Sequence, residues 1–86
     1  MGIGKLVKKM RKDLDISQED LGDTCGYGSG QFISNWERGK SNPPIEAIAI
    51  FSIYYGVDPE PFINELVKTY EKELRQRMKE LRKVLR

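Results

Sequence analysis

Gln31, Ser34 and Asn35 stand three and four residues apart, the spacing that brings side chains onto one face of a helix. A Gln or Asn amide donates and accepts hydrogen bonds at once. Two of them one turn apart suit the edges of nucleobases, where each doubly bonded match discriminates by ~1–3 kcal/mol. Exposed amides are equally ordinary on any helix surface, so the row gains meaning only from its surroundings. Other chemistry has few candidates. The chain has no His and a single Cys, Cys25, which excludes imidazole base catalysis, a cysteine–histidine zinc site and an intramolecular disulfide. No nucleophile and base fall together and no glycine loop cradles a phosphate, so neither an enzyme nor a cofactor is expected.

The elements that would hold this row are all helical. Ile3, Leu6, Val7, Met10 and Leu14 recur at intervals of three and four with Lys5, Lys8, Lys9 and Lys12 between them, which predicts an amphipathic helix over about 3–13. Ser17 occupies an N-cap position with Asp20 in the following turn, so a second helix should begin at Gln18 and turn Leu21 and Cys25 inward. Gly26-Tyr27-Gly28 ends it, because glycine reaches left-handed backbone angles without steric cost. Ser29 then caps a short third helix whose Ile33 and Trp36 face inward, while Gln31, Ser34, Asn35 and Arg38 face outward. Trp36 and Cys25 read as core residues. Gly39 closes that helix, Lys40-Ser41-Asn42 forms a loop, and Pro43-Pro44 opens a fourth. Ile45, Ile48, Ala49, Phe51, Ser52 and Tyr55 predict that this fourth helix is mostly buried at the centre of the core.

Gly56 ends the fourth helix and Asp58 caps a fifth, in whose first turn Pro59 and Pro61 are tolerated. From about 59 to 85 nothing interrupts it, a length on the order of 40 Å that a chain of 86 residues does not need for its core. The distal half must protrude or find a partner. Ile63, Val67, Tyr70, Leu74, Met78, Leu81 and Leu85 recur with a mean interval near 3.67 residues, closer to a hendecad than to the 3.5 of a left-handed coiled coil. With no strand-like alternation, the fold class is all-α: four short helices and one long one.

Charge is divided along the chain. Residues 1–16 carry five bases and two acids, 17–67 two bases and eight acids, and 68–86 eight bases and three acids, for a net +2. Basic ends around an acidic middle fit either a phosphate-facing surface or two solvated Lys-rich helices. No apolar run approaches the ~18 residues of a membrane span. Residues 1–12 form a cationic amphipathic stretch without the apolar region of a signal peptide, so the cytoplasm is the expected location.

Two short helices joined by a glycine-bearing turn, the second with an outward row of Gln, Ser and Asn, meet the requirements of a helix-turn-helix. The stretch Ser17-Gln18-Glu19-Asp20-Leu21, the run from Gly26 through Ile33-Ser34-Asn35-Trp36-Glu37-Arg38-Gly39-Lys40, then Asn42-Pro43 and Tyr55-Gly56-Val57 resemble the Cro and phage-repressor (XRE) family of helix-turn-helix proteins over about residues 3–66. The resemblance implies a five-helix lambda repressor-like DNA-binding domain over 1–66, with 67–86 an extension of the last helix. It implies that the third helix enters the major groove of double-stranded DNA. Gln18 would contact phosphate, Ser29, Gly30, Gln31, Ser34 and Asn35 would read or line the groove, and Lys40 and Asn42 would lie on the loop that grips the backbone, with Arg38 a further DNA-binding candidate. It also implies an ion pair between Arg11 and Glu37 that orients the third helix. The run from Gly26 to Gly39 is one residue longer than the commonest family spacing, Gly30 offers no side chain where the family often has a polar one, and Phe32 replaces a usually small polar residue. Phe32 fits either a thymine methyl or the edge of the core.

Arg38 and Lys40 are the only bases between residues 17 and 67, so one copy should hold DNA weakly. A homodimer reading a palindromic site, a transcriptional repressor, is the natural remedy, with Val67, Tyr70, Leu74, Met78, Leu81 and Leu85 as its contact. The same helix suits a different protein equally well, as in the antitoxin of a toxin–antitoxin pair. It is a poor membrane binder, having no Trp or Phe beyond Phe62.

Overall fold

A computed structural model describes residues 2–85, which form five helices in the order α1 (Ile3–Asp13), α2 (Gln18–Thr24), α3 (Gln31–Glu37), α4 (Ile45–Tyr55) and α5 (Glu60–Leu85). The apolar row of α1 buries Ile3, Val7 and Met10. Asp15 takes a left-handed conformation, φ 55°, which short polar side chains tolerate, and the turn carries the chain to Ser17. There Ser17 Oγ accepts the Asp20 N–H and Asp20 Oδ2 accepts the Ser17 N–H, both at 2.9 Å, a reciprocal cap that starts α2. Those bonds hold the Asp20 carboxyl below its ordinary range.

The core gathers Val7 from α1, Leu21 from α2, Ile33 and Trp36 from α3, Ile48 and Phe51 from α4, and Phe62 and Leu66 from α5. Burying each large side chain contributes ~1.5–3 kcal/mol, the driving force that holds short helices unstable by themselves. Phe51 and Phe62 meet edge-on at 5.1 Å, joining α4 to α5. Thr24 Oγ1 and Tyr55 Oη lie 2.7 Å apart and join α2 to α4. Backbones approach closely at Gly22, where a Cβ would lie 1.9 Å from the Ser29 carbonyl oxygen, so only glycine allows α2 to meet the segment leading into α3.

Three expectations are corrected. The fourth helix is not mostly buried: Ala47, Ile48, Phe51 and Ser52 are covered, but Ile45, Ala49, Ile50, Ile53 and Tyr54 face outward. Cys25 packs against the core on the side of Leu21, but not as a fully buried residue of α2. It follows Thr24 as the C-cap and is only partly buried, and that burial pushes its thiol pKa up, away from reactivity. The N-cap of α3 is Gly30 rather than Ser29, which stands one residue earlier with its Oγ 3.4 Å from the Gln31 nitrogen. By contrast Asp58 does cap the last helix, its Oδ1 accepting the Glu60 N–H at 3.0 Å. Every described residue of α5 beyond Tyr70 is exposed, so its distal half protrudes, and the molecule measures 53 Å in its longest direction.

Candidate nucleic-acid interface

Between α2 and α3 the chain turns through Gly26 (φ 86°) and Gly28 (φ 70°), left-handed angles that residues with a β-carbon adopt at a cost. Tyr27 sits between them. Its N–H bonds the Gly22 carbonyl at 2.9 Å, and its ring lies 4.6 Å from Phe32 and edge-on to Trp36 at 5.8 Å. The turn is thus pinned to α3 by an aromatic trio. Phe32 is 51 % exposed, so it lies on the rim of that trio rather than in the core. At the head of α3, a Cβ on Gly30 would lie 2.8 Å from the Glu19 nitrogen and 2.9 Å from the Gln18 carbonyl carbon. The absence of a side chain there brings the starts of α2 and α3 together.

The outward face of α3 carries the amide row. Gln31 and Arg38 are exposed, Ser34 and Asn35 partly so, because Ile33 and Trp36 take the inward positions. Gln31 Nε2 and Arg38 Nη2 both donate to Asn35 Oδ1 at 3.2 Å, which links the three side chains into one array. Ser29 is exposed at the head of the helix, and Lys40 and Asn42 are exposed on the loop that leaves it. This loop is anchored by Pro43, which is fully buried.

A part-buried ion pair ties the end of α3 to α1. Arg11 Nε donates to Glu37 Oε2 at 2.8 Å and Arg11 Nη2 to Glu37 Oε1 at 3.0 Å, while Arg11 Nη1 reaches the Ile16 carbonyl at 3.1 Å. The side chains are only 14 % and 5 % exposed. Gln18 Nε2 adds a bond to Glu37 Oε1 at 3.3 Å, so the first residue of α2, the last of α3 and the end of α1 meet at one carboxylate. Burial alone would raise the Glu37 pKa, but hydrogen bonds from Arg11 and Gln18 and the Arg11 charge outweigh it and leave the pKa below its ordinary value. The bond to Glu37 likewise raises Arg11.

The structure therefore brings Gln31, Ser34, Asn35 and Arg38 onto one face, with Ser29 and Gly30 at its head and Lys40 and Asn42 just beyond it. Gln18 stands apart, half-buried and turned to Glu37. Tyr27 was missed from the sequence, and its only signal was an aromatic residue between two turn glycines. The Gln18–Glu37 bond was missed too, since nothing local in the sequence ties residues so far apart. Among the described residues no group of acidic, Cys or His side chains could hold a metal ion, and no helix is long and apolar enough to cross a membrane. A family model described as helix-turn-helix matches residues 7–62. No curated protein and no solved structure matches the chain.

Proposed function

Because the chain belongs to the helix-turn-helix family, in its lambda repressor-like form, whose members are DNA-binding transcriptional regulators, we propose that it is a homodimeric repressor that reads a palindromic site in the cytoplasm. The observation that carries this reading is the Gln31–Asn35–Arg38 array, exposed on a seven-residue helix that the core and the Arg11–Glu37 pair hold in place. An α-helix fits the major groove of B-DNA. Gln31 and Asn35 then address base edges, Ser34 lines the groove, and Ser29 and Gly30 let the head of α3 approach closely. Arg38, Lys40 and Asn42 hold phosphates. Gln18 reaches phosphate through the part of its amide that Glu37 does not engage.

Residues 1–66 do the reading in this scheme and 67–86 the pairing. Few bases line the reading surface, so a single copy binds weakly, and the exposed row from Val67 to Leu85 supplies the contact that doubles it. The same exposed row supports a second reading, an interaction module such as an antitoxin whose last helix engages a different protein. A mass measurement of the free protein separates the two, since a repressor dimerises without a second chain.

The test is a salt titration on a duplex selected by the protein from random DNA. Arg38 and Lys40 from two protomers neutralise about four phosphates, so the logarithm of affinity should fall against the logarithm of salt with a slope of about −3.6 or steeper. Selection that enriches no sequence, or binding indifferent to salt, contradicts the repressor reading.

A further inference from the structure

The apolar row on the protruding part of α5, Val67, Tyr70, Leu74, Met78, Leu81 and Leu85, is 48–83 % exposed and reads nearly the same in both directions. About Gln76, Leu74 and Met78 stand two residues out on either side, Tyr70 and Leu81 six and five, and Val67 and Leu85 nine. A helix laid antiparallel against its own copy in that register meets Val67 with Leu85, Tyr70 with Leu81 and Leu74 with Met78. All six side chains find an apolar partner.

Charge selects the same direction. At about 100° per residue, Glu71, Arg75 and Arg82 flank one edge of the row, and Glu73, Arg77 and Val84 flank the other. Two-fold symmetry brings like edges together in an antiparallel pair and unlike edges together in a parallel one. The antiparallel register sets Glu71 near the partner's Arg82 and Glu73 near the partner's Arg77, each pair made twice, against Arg75 and Arg77 that each meet their own copy once. A parallel pair would set Glu71 near the partner's Glu73 and Arg75 near the partner's Arg77, like charges in both places, with only Arg75 and the partner's Glu73 attracting, so the balance of charge favours the antiparallel direction. The whole helix is polarised accordingly, with four acids and two bases over 60–73 and five bases and one acid over 74–85.

The tip also has a seat. Pro44, Ile45 and Glu46 at the start of α4, with Ile63, Val67 and Tyr70 on α5, line an open groove of about 440 Å³. It lies where the register delivers the partner's Val84 and Leu85. Leu66, on the same edge of α5 as Val84, also lines the groove, so Val84 enters on the α4 side, toward Ile45, and Glu46 meets a basic tip. Ile45, Val84 and Leu85 are 61 %, 78 % and 83 % exposed. With the five remaining members of the row they make eight apolar side chains, which at roughly 100 Å² each supply about the ~800 Å² per partner that a stable interface buries.

We infer that two copies of this chain pair antiparallel along α5 about Gln76, each tip seated in the groove between α4 and α5 of the other copy. The inference rests on the homodimer proposed above and adds its direction, its register and the part of α4 it covers.

The test uses the full chain carrying Cys25→Ser, with Val67→Cys and Leu85→Cys placed in separate proteins. On mild oxidation a mixture of the two should form a 67–85 cross-link, while neither protein alone should, because like positions lie ~27 Å apart along the rod. Cross-linking of either protein alone, or a dimer whose mixture does not cross-link, overturns the antiparallel register and leaves the repressor reading standing. A chain that sediments as a monomer removes the proposed homodimer as well. Glu73→Arg provides a check without cysteines: it should weaken dimerisation about two- to tenfold, with Arg77→Glu restoring it in the double variant, given the modest worth of exposed pairs. A tighter dimer for Glu73→Arg alone overturns the inference.

Discussion

Glu37→Ala is expected to destabilise the protein by about 3–5 kcal/mol, because it leaves the largely covered Arg11 guanidinium without its counter-charge. The pair is shielded on both sides, and Arg11 retains only its bond to the Ile16 carbonyl. For a chain of this size ~1 kcal/mol moves the melting temperature by ~4–8 °C, so thermal melts should show a drop of at least about 12 °C or no folded state at all. Glu37→Gln should cost less, since its amide oxygen still accepts from Arg11. Acid supplies an independent check. The Glu37 pKa lies below its ordinary value in the folded protein, so its contribution is complete above the ordinary glutamate pKa, ~4.3, and is lost as pH falls through the depressed folded value. The gap in stability between the native chain and Glu37→Ala should therefore narrow over that window. An unchanged melting temperature for Glu37→Ala would remove the ion pair from the account.

Gln31→Ala and Asn35→Ala should each weaken binding to the selected duplex by ~1–3 kcal/mol per half-site, about 5- to 150-fold. Their effect on binding to random DNA should be small, because contacts to phosphate carry no sequence information. The two losses should not add, since Gln31 Nε2 and Asn35 Oδ1 are bonded to each other and each positions the other. Arg38→Ala should differ in kind. It should lower affinity on selected and scrambled duplexes, with only a smaller added loss on the selected one through its bond to Asn35 Oδ1, and flatten the salt slope by about 1 per protomer. Titrations of the three variants against selected and scrambled duplexes separate these patterns, and equal losses on both duplexes for Asn35→Ala would strip it of a reading role.

The helices themselves were legible wherever the sequence marks a solvent side. In α1, lysines between the apolar residues fix both the helix and its buried face, and the observed Ile3–Asp13 agrees with that pattern. Ser17 and Asp20 fix the start of α2 through a cap that needs only local spacing. The fourth helix was legible as a helix, but its buried side was not. Ten of its eleven residues carry no charge and most are apolar, so periodicity holds no polar face to point outward. The head of α3 shows a different limit. Ser29 has the chemistry of a cap, yet the tight approach of Gly30 to Gln18 and Glu19, a contact between helices, settles where the helix begins. Cys25 falls one turn after Leu21 and packs against the core as that spacing implies, but as the C-cap of α2 it is only partly covered. Within the candidate interface, local pattern placed Gln31, Ser34 and Asn35 outward and family resemblance paired Arg11 with Glu37. The edge-on contact of Tyr27 with Trp36 and the bridge from Thr24 to Tyr55 arise from tertiary packing, which no spacing along the chain encodes.

The central claim is that DNA lies against the outward face of α3. The most direct measurement is to follow backbone and side-chain amide resonances by NMR while the selected duplex is added. The largest shifts should fall on Ser29 to Arg38, including the side-chain NH₂ signals of Gln31 and Asn35, and on Lys40 and Asn42. Shifts confined to the basic distal half of α5, with α3 unmoved, would contradict the account.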